Sequence, residues 1–279
     1  MVKVLDAGFF TTIQDSGRFG FRNKGVPVAG TMDDVSAERA NNLLENKSSD
    51  ALLEITMKGP KLAFEKPSYI CLSGAILSAS LNEEPIVNHQ IVKVEEGDVL
   101  SFGKLDRGLR LYLGIKGGFK TEKVLGSRSF YYPITEKSCL AEHDQVPYEE
   151  VIAFQPKISE AKFDNYLTDE VLEIQKGPEF GLLSGDDLGQ LLSKPFTVAK
   201  ENNRMAYQLN EKISGHAFTM LTSATLPGTV QLTPSGKLII LMKDGQTTGG
   251  YPRILQLTKR SIAVLAQKRF GDQVQFRLV

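Results

Sequence analysis

A chain of 279 residues is long enough for one large domain or two small ones with real hydrophobic cores. Its 24% charged and 41% hydrophobic residues fit an ordinary globular protein. Lys+Arg and Asp+Glu are both 33. That balance removes any electrostatic reason to expect nucleic acid or an anionic membrane as partner, and it favours association with other proteins.

The start, MVKVLDAGFF, lacks the long apolar stretch of a signal peptide. No stretch reaches the about 18 uninterrupted apolar residues of a membrane-spanning helix. The expected location is the cytoplasm. Residues 12–33, TIQDSGRFGFRNKGVPVAGTMD, crowd Gln14, Asp15, Arg18 and Asp33 into a glycine-rich frame. Arg18 can clamp a carboxylate or phosphate through two parallel hydrogen bonds. Asp15 and Asp33 can position a proton or a cation. The plainer readings are an Asp15–Arg18 ion pair and Asp33 as a helix cap.

Residues 31–46 carry the best helix signal. Thr31 with Asp34 resembles a capping box, and Val35, Ala40, Leu43 and Leu44 make one apolar face. Short apolar runs then recur between turn residues: LLEIT at 52–56, YICLSG at 69–74, VLSFG at 99–103 and LRLYLGI at 109–115. KLIILMK at 237–243 and QVQFRLV at 273–279 continue the series, and period-two alternation reads them as strands. Weaker helix signals cover 185–194 and 258–270. Many strands and few helices make a mainly β barrel or sandwich.

LEITMKGP at 53–60 is echoed by LEIQKGP at 172–178, and other short echoes follow in a different order. Two related lobes with exchanged segments would account for them. The charged stretch 154–170 is the boundary candidate, giving lobes 1–155 and 156–279.

Cys71 and Cys139 have no metal or redox spacing and read as buried free thiols. The histidines, His89, His143 and His216, lie far apart and read as surface or satisfied side chains. No metal site is expected. No P-loop, dinucleotide fingerprint, zinc-protease motif or serine-nucleophile elbow occurs.

Three further stretches can build a site. In 243–253, KDGQTTGGYPR, the run Asp244, Gln246, Thr247, Thr248, Gly249, Gly250 and Tyr251 offers donors and acceptors on a small-residue surface. The alternative there is a bulged hairpin. Arg128 in LGSRSF and Arg204 in NNRM are anion-binding candidates. With Arg18 they would form one anion site if the fold converges them.

These same stretches, in order over nearly the whole chain, resemble the biotin-dependent carboxyltransferase family, also called allophanate hydrolase subunit 2 or the KipA type. Its stand-alone bacterial members are the C subunit of the ATP-dependent 5-oxoprolinase. The resemblance implies two cyclophilin-like β-barrel lobes. It implies two partner chains, one of KipI type (the B component) and one of LamB/YcsF type (the A component). It also implies ATP as co-substrate and a small anionic amide as ligand. Asp15, Arg18 and Asp33 would then be catalytic. Gln14, Arg128, Arg204 and the 244–251 loop would hold the substrate, the loop facing the Gln-Asp-Arg run across a cleft. Two departures stand out: Ala29-Gly30-Thr31-Met32-Asp33 replaces S-G-P-M-D, and Arg204-Met205-Ala206-Tyr207 replaces R-M-G-Y. The other activities the resemblance allows are a carboxyltransferase half acting on urea with carboxybiotin from a partner, and a regulatory binder of a KipI-type kinase inhibitor.

Overall fold

The computed structural model describes residues 1–158 and 161–279. Positions 159 and 160 of the charged 154–170 stretch lie outside the described residues. The chain divides into two compact units: Met1–Arg18 with Asp33–Thr168, and Phe19–Met32 with Asp169–Val279. The main division follows Thr168, where the sequence reading put it at 155. One early segment, 19–32, is counted with the second unit.

The first unit is a nine-stranded sheet. Its spine is the antiparallel pair Ser68–Leu81 and Val99–Ile115. The runs at 99–103 and 109–115 therefore belong to one strand, not two. Residues between them are largely exposed, so the alternation of apolar groups lapses while backbone pairing with Ser68–Leu81 continues. The strand Leu52–Thr56 is buried at every position, which is why LLEIT reads as a continuous run. Leu53 and Ile55 join the main core with Leu72, Leu111 and Leu113.

Leu52, on the other face, packs with Tyr112 and Ala37 of helix α1, Asp34–Leu43. The helix also seats Leu43 and Leu44 on Cys71. Val35, expected on this face, is only half-buried, and Ala37 takes its place. The cap is Asp33 rather than Thr31: the Ser36 amide donates to Asp33 Oδ1 at 3.1 Å. Register shifts follow Gly74, whose φ is +96°. A Cβ there would lie 2.6 Å from the Arg110 carbonyl oxygen and 3.2 Å from Ser36 Oγ. The glycine thus lets the sheet approach the first turn of α1.

In the second unit the strands close into a seven-stranded barrel. Its order is Val171–Lys176, Arg253–Leu257, Thr229–Leu232, Lys237–Leu241, Ala206–Lys212, Phe196–Asn202 and Gln273–Leu278. The last strand returns parallel to the first. The expected pair of barrels is thus one closed barrel and one open sheet. Closure depends on pairing between strands far apart in sequence, which a local pattern does not carry. The two LEI strands have different neighbours. Leu52–Thr56 lies between antiparallel partners, whereas Val171–Lys176 has one antiparallel and one parallel partner.

Helices α2, Gly185–Ser193, and α3, Lys259–Ala266, match the two weaker helix signals, capped by Ser184 and Thr258. Both cysteines are free. Cys71 is buried, and burial pushes its thiol up to about 12, while Cys139 is half-buried rather than buried. Among the described residues no helix is long and apolar enough to cross a membrane.

Asp187 accepts from the Ser184 hydroxyl at 2.6 Å and from the Ser214 amide at 3.2 Å. These bonds hold its carboxyl down at about 2, against an ordinary 3.8. A depressed carboxyl supplies stability fully above the ordinary value and loses it as pH falls through the folded one. Denaturant melts taken between these two values are expected to steepen in pH dependence for the wild type and to flatten in Asp187→Asn.

Candidate functional site

Residues 14–18 of the glycine-framed run form a clasp inside the first unit. Asp15 accepts from the Gly17 amide at 2.8 Å, the Ser127 hydroxyl at 2.6 Å, the Arg128 amide at 2.7 Å and the Ser129 hydroxyl at 2.7 Å. Arg18, 1% exposed, donates from Nε to the Val124 carbonyl at 3.2 Å and from a terminal nitrogen to the Ser129 carbonyl. Asp15 and Arg18 therefore grip the 124–129 loop. Gln14 donates to Thr12 and to the Phe130 carbonyl, and its buried Oε1 has no hydrogen-bond partner among the described residues. What the clasp presents is Arg128. Its backbone is fixed on Asp15, while its half-buried guanidinium has no hydrogen bond or ion pair among the described residues.

Asp33 is fully buried and gathers hydroxyls. Ser36 Oγ donates to it at 2.8 Å, and the Tyr166 hydroxyl lies 2.7 and 2.6 Å from its two oxygens. The Ser36 and Tyr166 oxygens are 2.6 Å apart. The Asp33 amide donates to the Tyr112 hydroxyl at 2.8 Å, which donates on to Glu54 at 2.8 Å. Burial, reinforced by the nearby carboxylates, raises both phenols above their ordinary range, so both stay protonated donors.

Ser36 and Tyr166 line a cavity of about 210 Å³ together with Arg39, Asn88, His89 and Phe163. Burial first, then the Arg39 charge, lowers the His89 pKa, which favours the neutral ring. Its Nε2 meets Ser73 Oγ at 3.1 Å, as expected of a satisfied histidine. The sequence reading missed Ser36, Arg39 and Tyr166. The first two were findable: Asp33, Ser36 and Arg39 repeat every third residue and share a helix face. Tyr166 was not, because it lies in a charged stretch that reads as linker.

The second unit holds the remaining residues. Arg204 is locked by Asp244, through Nε at 2.8 Å and a terminal nitrogen at 3.0 Å, and donates to the Gly30 carbonyl at 2.7 Å. The Ala29 amide donates to the Lys243 carbonyl at 2.9 Å, so Ala29 and Gly30 of the departure lie beside the Arg204–Asp244 pair. Thr225 takes the backbone of Gln246 and Thr247. Thr248–Gly249 pairs with Ser223–Ala224, which makes this stretch a two-stranded patch rather than a simple bulged hairpin. A Cβ at Gly249 would meet Gln231 Nε2 at 2.4 Å, whereas Gly250 faces open space and Tyr251 is 41% exposed. Arg18 and Arg128 thus belong to the first unit, and Arg204 to the second.

A family model described as the carboxyltransferase domain, subdomains A and B, matches residues 24–278. The chain belongs to the carboxyltransferase-domain family. It is 30% identical to the 5-oxoprolinase C subunit of Escherichia coli, over 99% of this chain and 90% of that one. Against the Haemophilus influenzae 5-oxoprolinase C subunit the identity is 29%, over 100% and 91%. A urea amidolyase of Lachancea kluyveri is 41% identical, over 46% of this chain and 7% of that protein. The solved structure of TTHA0988 superposes with a TM-score of 0.87 at 28% identity, covering 99% of this chain and 55% of that one. The Kluyveromyces lactis urea amidolyase gives 0.83 at 26% identity, over 99% and 18%. This chain therefore spans about half the length of TTHA0988.

The clasp sets a stability expectation. Asp15→Ala leaves two buried hydroxyls and two amides without their acceptor, and hydrogen bonds to charged groups contribute about 1.5–3 kcal/mol each. Chemical denaturation is expected to show a loss of at least about 3 kcal/mol; a loss within error would mean the clasp does not hold the loop.

Proposed function

We propose that this chain is the C subunit of an ATP-dependent 5-oxoprolinase. It would open 5-oxoproline to glutamate in the cytoplasm, together with a KipI-type partner and a LamB/YcsF-type partner. The observation that carries this reading is coverage. The chain aligns nearly end to end with two 5-oxoprolinase C subunits, whereas it covers 7% of the matched urea amidolyase.

A lactam is a stable amide. Transfer of a phosphoryl group to its carbonyl oxygen makes the carbon open to water, and cationic donors stabilise the charge that develops. On this chain Arg128 has donors to spare for that work. Arg18 is 1% exposed and turns Nε and one terminal nitrogen to backbone carbonyls, and Arg204 turns its donors to Gly30 and Asp244. These two arginines therefore do not form a ready phosphate cradle, and ATP is assigned to the assembly rather than to a site on this chain. Asp15 and Arg18 act by positioning Arg128, and Asp33 by holding the cavity wall. The 244–251 loop keeps Gly250 and Tyr251 open for a small polar ligand.

The 41% identity to urea amidolyase over 46% of this chain favours a second reading, a carboxyltransferase acting on urea or a similar small amide with biotin on a partner.

Glutamate formation from 5-oxoproline and ATP separates them. It is expected only with both partners present. Arg128→Ala in the assembled set is expected to lower kcat/KM at least about tenfold, the cost of a lost charged hydrogen bond. An assembled set that makes no glutamate, but consumes urea with a biotin carrier, would replace the first reading with the second.

A further inference from the structure

The cavity of the first unit has an anion seat that the protein itself fills. Arg39, 12% exposed at its side chain, has its guanidinium 4.7 Å from the centre of the Phe163 ring and 5.1 Å from that of Tyr166. It donates to the Asp164 carbonyl at 3.1 Å and to the Asp164 carboxylate. Helix packing and two rings fix the cation, while the Asp164 side chain is 64% exposed. Arg39 is therefore the fixed half of the pair, and the exposed Asp164 carboxylate is the half that can return to water.

Asn88 stands on the same wall. Its amide nitrogen is spent on the Gly74 and Ala75 carbonyls, at 3.0 and 3.2 Å, which orients the group and leaves its carbonyl oxygen as an acceptor. Ile76, Phe163 and Leu167 supply an apolar wall. A neutral His89 adds no charge that would compete for an anion.

We infer that this cavity binds a small cyclic amide bearing one carboxylate, which takes the place of Asp164 on Arg39 while its amide N–H is donated to Asn88. The exchange is one carboxylate for another, so the guanidinium is never left unpaired. Asp164 is then a built-in competitor that keeps residues 161–167 over the cavity until ligand enters. The choice of ligand class rests on the oxoprolinase reading; the anion seat stands on the geometry.

Calorimetry of the chain, alone and with its partners, tests this with 5-oxoproline, with 2-pyrrolidinone, which lacks the carboxylate, and with cyclopentanecarboxylate, which lacks the amide. Saturable binding of 5-oxoproline is expected, with both analogues at least about tenfold weaker, the cost of one charged hydrogen bond. Asp164→Asn is expected to tighten it about two- to fivefold, since an exposed competitor is removed. Arg39→Gln is expected to abolish it. Ile76→Trp, which fills the cavity and leaves the Arg39–Asp164 pair intact, is expected to abolish it too, and decides the matter if Arg39→Gln fails to fold. The inference is overturned by absence of saturable binding in every preparation, by weaker binding in Asp164→Asn, or by wild-type binding in a folded Ile76→Trp. Glutamate production by the wild-type assembly is scored separately, so a failed seat and a failed oxoprolinase reading are told apart.

Discussion

A buried carboxylate, that of Asp33, organises the first unit. Taking such a group out of water costs several kcal/mol unless donors replace the lost hydration. Here the Ser36 amide and hydroxyl and the Tyr166 hydroxyl replace it. The same residue caps α1, where its negative charge also meets the positive end of the helix dipole. Through its own amide it reaches Tyr112, and through Tyr112 the buried Glu54 on the strand Leu52–Thr56. Helix, sheet and the segment before Thr168 thus meet at one residue. The position of Tyr166, and with it the roof of the cavity, follows from satisfying that carboxylate.

The nearby Gly74 shows how the sheet accommodates this arrangement. Any side chain there would collide with the Arg110 backbone and crowd Ser36. The strand shifts register at this point, and the cavity opens alongside. Backbone permissiveness in a sheet residue and hydrogen-bond satisfaction in a helix cap are different kinds of constraint, yet they act on the same small volume. Arg39 in this volume is already paired with Asp164. A ligand entering the cavity therefore has to exchange a contact, and the exposed Asp164 is the contact that yields at least cost.

Local pattern carried much of the architecture. Short apolar runs between turn residues located Leu52–Thr56, Lys237–Leu241 and Gln273–Leu278, and the weaker helix signals at 185–194 and 258–270 fell on α2 and α3. What it could not carry was pairing at a distance. The single strand Val99–Ile115 read as two because its middle faces solvent, and barrel closure rests on a parallel pair joining residues about a hundred positions apart in sequence, Val171 with Gln275. The site was legible in composition but not in use. Asp15, Arg18 and Arg204 have the chemistry of anion binding. Yet Arg18 and Arg204 sit at 1% and 7% exposure with backbone carbonyls as acceptors, and only the fold reveals that. Arg128 looked equivalent to them, yet it is half-buried and its guanidinium has no hydrogen bond or ion pair among the described residues. Asp33 was read both as catalyst and as cap. The cap is present, and its wider role depends on Tyr166, a residue 133 positions away.

A double-mutant cycle between Asp33→Asn and Tyr166→Phe, read by denaturant unfolding, tests that dependence directly. If the Asp33 carboxylate holds the segment before Thr168 through the Tyr166 hydroxyl, the two losses will be strongly non-additive, with a coupling of about 1.5–3 kcal/mol. Additive losses would show that the hydroxyl and the carboxylate do not support one another, and that something other than Asp33 roofs the cavity.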